Sequence, residues 1–254
     1  MEILTSKQAG ILRITLNRPD KKNSITAAMY QAIADALKDA RADQAVRVVL
    51  ISGSTELFTA GNDLADFMNN PPSSETAPVF QFLENISRCE KPIVAAVGGV
   101  AVGVGTTMLL HCDLVYAADN ARFSLPFTSL GLVPEAASSY LLPQIAGYQK
   151  AAELLLLGEP FDAAKAKEAG FITAVVPAAE LLATAEKAAA KIAALPGKSV
   201  RSTKALLKRA HAANIAGQMA EENAQFRSML GEPAAREAFS AFFAKRKPDF
   251  SQCE

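Results

Sequence analysis

The sequence predicts an α/β fold, an alternating strand and helix core followed by a helical region, and three observations carry that expectation. From Gly10, "GILRITLNRP" alternates apolar and polar residues at the two-residue period of a half-buried strand. The period then changes: Met29, Ile33, Ala36 and Leu37 recur at three-to-four spacing, and "VRVVLISG", Val46 to Gly53, returns to strand. Beyond Ala178 nearly every stretch has helical patterning.

Each element has its own local cause. The opening "MEILTSKQAGILRITLN" enters a strand pattern at once, and Pro19 stops it. Thr26 has the side chain to cap the helix that follows. "NNPPSSETAP", Asn69 to Pro78, has the composition of a mobile surface loop, and the helix-like "VFQFLENISRCE" follows it. "KPIVAAVGGVAVGVGTTMLLHCDLVYAAD" reads as a buried strand, a glycine-rich turn, a short apolar helix and another strand. After Pro160, "FDAAKAKEAGF" reads as a short helix closed by Gly170, and "ITAVVP" as a short strand. The expected division is a core over residues 1–195 and a helical C-terminal region over residues 196–254, with no internal repeat of fixed period.

Composition removes several function classes. The 254 residues are half hydrophobic and carry 26 basic and 26 acidic side chains, so no overall basic field draws the chain to nucleic acid or anionic lipid. No run of about 18 apolar residues exists to span a bilayer, and the N-terminal stretch lacks a signal-peptide layout. A cytoplasmic location without membrane association is expected. Cys89, Cys112 and Cys253 are scattered, with no CxxC pair, which indicates neither a disulfide framework nor a metal site. No G-x-S-x-G elbow or P-loop occurs.

Three places could carry chemistry. "LFTAGNDLADF", Leu57 to Phe67, follows a strand-like run and holds small residues that let backbone amides approach a ligand, although an ordinary turn has the same look. "AAVGGVAVGVGTTMLL" links strand to helix through Gly98, Gly99, Gly103 and Gly105, but Met108 stands where a dinucleotide fingerprint needs its third glycine. The third is "GLVPEAASSY", where Glu135 lies among small and apolar residues with no nearby cation in sequence. If Glu135 opens the helix suggested by "AASSYLLPQI", it complements the helix dipole, worth about 0.3–1 kcal/mol. If instead an apolar wall that includes Phe127 and Leu130 raises its pKa, it is a base fit for carbon chemistry at neutral pH. His111 and His211 build no triad with Ser138 or Ser139. "NRPDKKN" and "FFAKRKPDF" are short basic stretches, either solvated faces or sites for ligand phosphates.

In order and spacing, "LNRPDKKNSIT", "LFTAGNDL", "KPIVAAVGGVAVGVG", "CDLVYAADNARFSLPFTSLGLVPE" and "FFAKRKPDF" together resemble the crotonase (enoyl-CoA hydratase/isomerase) superfamily, from about Gly10 to Phe250. The resemblance implies a spiral core of ββα turns, a C-terminal helical region used for assembly as trimers or paired trimers, and acyl-CoA thioester substrates. It implies no cofactor, coenzyme A being part of the substrate. Carried over residue by residue, the thioester oxygen would be held by the backbone N–H groups of Asn62, after Gly61, and Val104, after Gly103. Ala60, Gly61, Asp63, Leu64 and Gly103 would line the coenzyme A groove, with Lys22 and Lys247 as partners for its phosphates.

The departures from the family pattern are informative. Hydratases of that family carry two glutamates that place and activate water, and the aligned positions here hold Thr107 and Phe127. Glu135 occupies the position of the single acid/base of Δ3,Δ2-enoyl-CoA isomerases, and "TAGNDL" and "PFTSLGLVPEAASSY" are most similar to the peroxisomal-type isomerase branch. The resemblance therefore implies an isomerase. Another crotonase-type reaction, such as hydration or decarboxylation, and non-catalytic acyl-CoA binding are the alternatives.

Overall fold

The computed structural model describes residues 1–253 of the chain. β1 (Ile3–Gln8) and β2 (Ile11–Leu16) form an antiparallel hairpin, and Thr26 caps α1 (Ala27–Ala42) by accepting from the Met29 amide. α1 buries Met29, Tyr30, Ile33, Ala34, Leu37 and Ala40, the face expected from its spacing.

Three successive ββ units follow. β3 (Val48–Ser52) leads to β4 (Leu57–Thr59), α2 (Leu64–Asn69) and α3 (Pro78–Ser87); β5 (Ile93–Val97) leads to β6 (Val100–Val102) and α4 (Val104–Thr107); β7 (Leu114–Ala118) leads to β8 (Arg122–Ser124). The first strand of each unit joins one sheet and the second joins another. The larger sheet runs β1-β2-β3-β5-β7-β10, and the smaller runs β4-β6-β8-β9. Apart from β1/β2 and β8/β9, all pairings are parallel. The α/β core of ββ units followed by a helical C-terminal region is as expected from the sequence, and its strands form two mixed sheets.

α5 (Ser138–Ala146), α6 (Tyr148–Ala152), β9 (Phe161–Asp162), α7 (Ala163–Glu168) and β10 (Ala174–Val176) complete the sheets, and α8 (Leu181–Ala194) covers one face of the larger sheet. β3 and β5 are buried at every residue because both of their faces are covered. Val48, Leu50, Val94 and Ala96 meet Leu181, Ala185 and Ala189 of α8, while Val49, Ile51, Ile93 and Ala95 point into the main core. β4 and β6 are short strands in places where the sequence reading saw only loop and turn; three residues give alternation no room to show.

α9 (Gly197–Arg209), α10 (Ala212–Met229) and α11 (Pro233–Phe243) make up the C-terminal helices. Among the described residues, no helix is long and apolar enough to cross a membrane. α9 is fastened to the larger sheet by a buried ammonium: Lys204 Nζ donates to the Lys91 carbonyl at 2.8 Å and to Asp113 Oδ2 at 2.7 Å. Asp113 also accepts from the Ile93 amide. Lys204→Ala strips a partly buried carboxylate and a carbonyl of their donor, and is expected to lower unfolding free energy by about 2 kcal/mol, read as the urea midpoint at constant m-value.

Candidate active site

The site is built on two strand ends that finish side by side. β4 and β6 pair in parallel, with Leu57 opposite Val100 and Thr59 opposite Ala101. Beyond β4 the chain turns through Gly61 at φ 85°, and a Cβ added there would lie 2.6 Å from the Val102 carbonyl oxygen. Only glycine permits both that dihedral and that approach. Beyond β6, Gly103 turns at φ 55° and ψ −117° into α4. The residues that follow the two turns are Asn62 and Val104.

Their amides are left over by the pairing around them. Ile25 donates to the Gly61 carbonyl at 2.8 Å and accepts from the Asp63 amide at 3.0 Å, so the intervening Asn62 N–H faces away from Ile25. Val104 is the first residue of α4, where an amide has no partner within the helix. Neither N–H has an acceptor among the described residues. Two unpartnered, uncharged donors on adjoining strand ends are of the kind that can cradle an oxygen as it gains negative charge.

Tyr30 fixes the Asn62 side chain by donating its hydroxyl to Oδ1 at 2.5 Å. Burial, and then the charge of Glu135, push the Tyr30 phenol well above its ordinary pKa, so it remains a donor. A hollow of about 350 Å³ lies between Tyr30, Phe67 and the Asn70–Val79 stretch. A larger cavity of about 880 Å³ lies between α3 and α9–α10, lined by Phe80, Met219 and Lys208 among others, and Glu135, Asn62 and Val104 do not line it. Tyr30 lines the smaller hollow and also bonds the Asn62 side chain.

Glu135 is 4% exposed, and its hydrogen-bond partner is the Thr107 hydroxyl. Burial pushes its carboxyl up to about 7; the Thr107 bond opposes the rise and the Glu222 charge adds to it. A group with that pKa is populated in both protonation states near neutrality. Phe127 is buried in the main core and Leu130 is half-buried against it.

Of the two readings of Glu135, the one in which it opens a helix does not hold. α5 begins at Ser138, and the two residues between, Ala136 and Ala137, have φ of 61° and 53°. Non-glycine residues pay strain in that left-handed region, so Glu135 stands before the helix on a constrained turn. The amides at the helix start are taken by another carboxylate, Glu222 of α10, which accepts from Ala137 N at 2.6 Å, Ser139 N at 3.0 Å and Ser139 Oγ. Glu135 is thereby released from the dipole role.

His111 holds the other side of the turn, 2.8 Å from the Ala136 carbonyl. Burial, with the Lys208 charge, pushes the imidazole down to about 4, so the ring is neutral at pH 7, and the carbonyl partner requires the proton on Nε2. It is a packed histidine with a positioning contact.

The residues expected in the groove fall into two groups. Ala60 donates its amide to the Lys22 carbonyl, which brings Lys22, an exposed side chain, to the rim beside Gly61. Asp63 is engaged otherwise: it caps α2 through the Asp66 amide and pairs with Arg18 at 2.6 Å, while Leu64 packs against the main core. Lys247 is exposed near the chain end, and no hydrogen bond or ion pair joins it to the strand-end cradle among the described residues. Tyr30 and Glu222 escaped the sequence reading. Tyr30 has the spacing of any core position on α1, and Glu222 is 85 residues from the amide it holds.

With the geometry in place, comparison with known proteins decides the family. The family profile described as enoyl-CoA hydratase/isomerase matches residues 6–253. The chain belongs to that family. A protein of Rattus norvegicus named enoyl-CoA delta isomerase 2 is 37% identical over 97% of the chain, which spans 64% of the rat protein's length. Two Escherichia coli proteins match over 98% of both chains: 1,2-epoxyphenylacetyl-CoA isomerase at 34% identity and 2,3-dehydroadipyl-CoA hydratase at 32%. The crystal structure of an enoyl-CoA hydratase/isomerase from Pseudoalteromonas atlantica superposes with a TM-score of 0.94 at 43% identity, covering 99% of this chain and 100% of that one. Within the enoyl-CoA hydratase/isomerase family, then, relatives of similar identity carry both isomerase and hydratase names, and they support acyl-CoA chemistry without selecting the peroxisomal-type branch.

The buried carboxyl has a measurable signature. Folded Glu135 binds its proton more tightly than the unfolded chain, whose glutamates titrate near 4.5, so its contribution favours folding below that pH and is lost as pH rises through about 7. The difference corresponds to about 3 kcal/mol. Glu135→Gln is therefore expected to raise unfolding free energy by about that amount at pH 8.5 and to leave it unchanged at pH 4, measured by urea titration; equal effects at both pH values would refute the desolvation.

Proposed function

We propose that this chain is a Δ3,Δ2-enoyl-CoA isomerase, which moves a double bond of an acyl-CoA thioester with one carboxylate and no cofactor. The observation that carries the reading is the buried Glu135, hydrogen-bonded to a threonine at one of the positions where hydratases of the family hold a carboxylate.

In this mechanism ionised Glu135 takes a proton from C2 of the 3-enoyl thioester. The C2–H electrons form a C1=C2 bond and move the carbonyl pair onto the thioester oxygen, giving a dienolate in which C2=C3 forms only when the carbonyl is restored and C4 takes the proton. The Asn62 and Val104 amides receive that oxygen, each contributing about 3–4 kcal/mol when water is excluded. The carboxyl, now protonated, returns the proton at C4, and the 2-trans product keeps the thioester intact. One group serves as base and then acid because its pKa of about 7 lies between the two demands. Hydration would require a second group to activate water, and Thr107 and Phe127 supply none.

Substrate placement follows from the same elements. Ala60, Gly61, Leu64 and Gly103 bring backbone close to the thioester, Lys22 lies at the rim for the coenzyme A phosphates, and Lys247 is a second candidate from the C-terminal end. Exposed Leu206, Leu207, Phe242 and Phe243 suit the 196–254 region to assembly as a trimer or pair of trimers.

The test is conversion of 3-cis- and 3-trans-hexenoyl-CoA to the conjugated 2-trans product, followed by absorbance. Glu135→Gln is expected to lower kcat by about a thousandfold. In the wild type kcat/KM should rise with pH through about 7 and then level off, as the base form fills. Wild-type turnover in the glutamine variant, or none in the native protein, rules the reading out.

A further inference from the structure

Glu222 lies outside the cradle, yet it is the most heavily engaged carboxylate near Glu135. Its two oxygens accept three hydrogen bonds, from Ala137 N, Ser139 N and Ser139 Oγ, and its side chain is 4% exposed. Gln218, one turn earlier on α10, donates to Ser139 Oγ at 2.9 Å and orients that hydroxyl towards the carboxylate. The segment so held contains the two consecutive left-handed alanines that follow Glu135 directly. A turn of that kind costs of order 1–3 kcal/mol for each such residue and persists only when its surroundings over-determine it. Glu222 on one side and the His111 contact to the Ala136 carbonyl on the other supply that determination.

We propose that Glu222 is the positioning residue of this site: from the C-terminal helix it clamps the Ala136–Ser139 turn and so sets the Glu135 carboxyl against Thr107 and away from water. The proposal rests on Glu135 being the acid/base and adds that the helical region takes part in the chemistry through this clamp. Both Glu222 oxygens are taken up by the turn. An amide in its place can accept from one of the two backbone N–H groups, but its own N–H₂ then faces a donor, so the turn loses at least one bond and loosens.

Two consequences for Glu135 have the same sign. Loss of the Glu222 charge removes a like charge, and loosening of the turn admits water; each favours the ionised form. The titratable groups that interact with Glu135 are Glu222 of α10 and Tyr30 of α1, which stays protonated; His111, on the Ala136 carbonyl, is neutral at pH 7 and titrates only near 4.

The experiment compares Glu222→Gln and Glu222→Asp with the wild type. The substrate-free titration of Glu135 is read by carboxyl-selective carbon NMR, its signal assigned through Glu135→Gln, and kcat for 3-hexenoyl-CoA is measured in parallel. The aspartate variant keeps the charge and shortens the reach, so it separates position from electrostatics and decides the matter if the glutamine variant does not fold. Expected are a Glu135 midpoint that falls from about 7 towards the ordinary carboxylate range in both folded variants, further for Gln, and a kcat at least about tenfold lower with little change in KM. A lower melting temperature alone, with the Glu135 midpoint and kcat both kept, means Glu222 only stabilises the fold and overturns the proposal. Because the titration needs no substrate, a midpoint that moves in a protein without isomerase turnover would retire the proposed reaction and leave the clamp standing.

Discussion

Removal of one carboxylate from water is the interaction around which the rest of this site is arranged. Burial lifts Glu135 to about 7, and a cation a few ångströms away would cancel that rise. The developing oxyanion still has to be stabilised close by. In the proposed reaction backbone amides resolve the conflict, because the Asn62 and Val104 N–H groups would present partial positive charge to the oxygen without adding a net charge that would drag Glu135 back to acidity. Thr107 serves the same economy: a neutral hydroxyl holds the carboxylate in one orientation while leaving most of the desolvation uncompensated.

The larger architecture makes this arrangement available at little structural cost. Because β4 and β6 are parallel neighbours, their carboxyl ends finish together and their exit turns point the same way. Ligand sites outside the carboxyl ends of parallel strands are a general outcome of such sheets. Here the close fit of Gly61 against Val102 converts the outcome into two amides with a fixed relation. β3 and β5 of the larger sheet, buried on both faces, give these short strands a rigid base.

Much of this was legible from local chemistry. The spacing of Met29, Ile33 and Leu37 with Thr26 in front is sufficient for α1, and the continuous apolar runs of β3 and β5 announce strands covered on both sides. The glycines that shape both exit turns, and the isolated acid at position 135, stand out in the sequence as well. What was not legible is long-range. β4 and β6 are three residues each and exist because they pair with one another. The start of α5 shifted to Ser138 because a carboxylate from α10 captures its first amides, and no pattern near residue 135 encodes a partner at residue 222. Asp63 looked free to meet a ligand because Arg18, its ion-pair partner, lies 45 residues away.

The reach from Ala137 to Glu222 has a temporal meaning. A chain emerging from the ribosome can close all the parallel pairings once β10 is made, since every strand lies at or before Val176. The amides that Glu222 will hold are then already in place, but the strained alanines have lost one of their restraints, and the turn is free to sample relaxed conformations until α10 arrives. If Glu222 is the clamp proposed above, the surroundings of Glu135 are completed only after both sheets can form, when α10 brings this carboxylate to the turn.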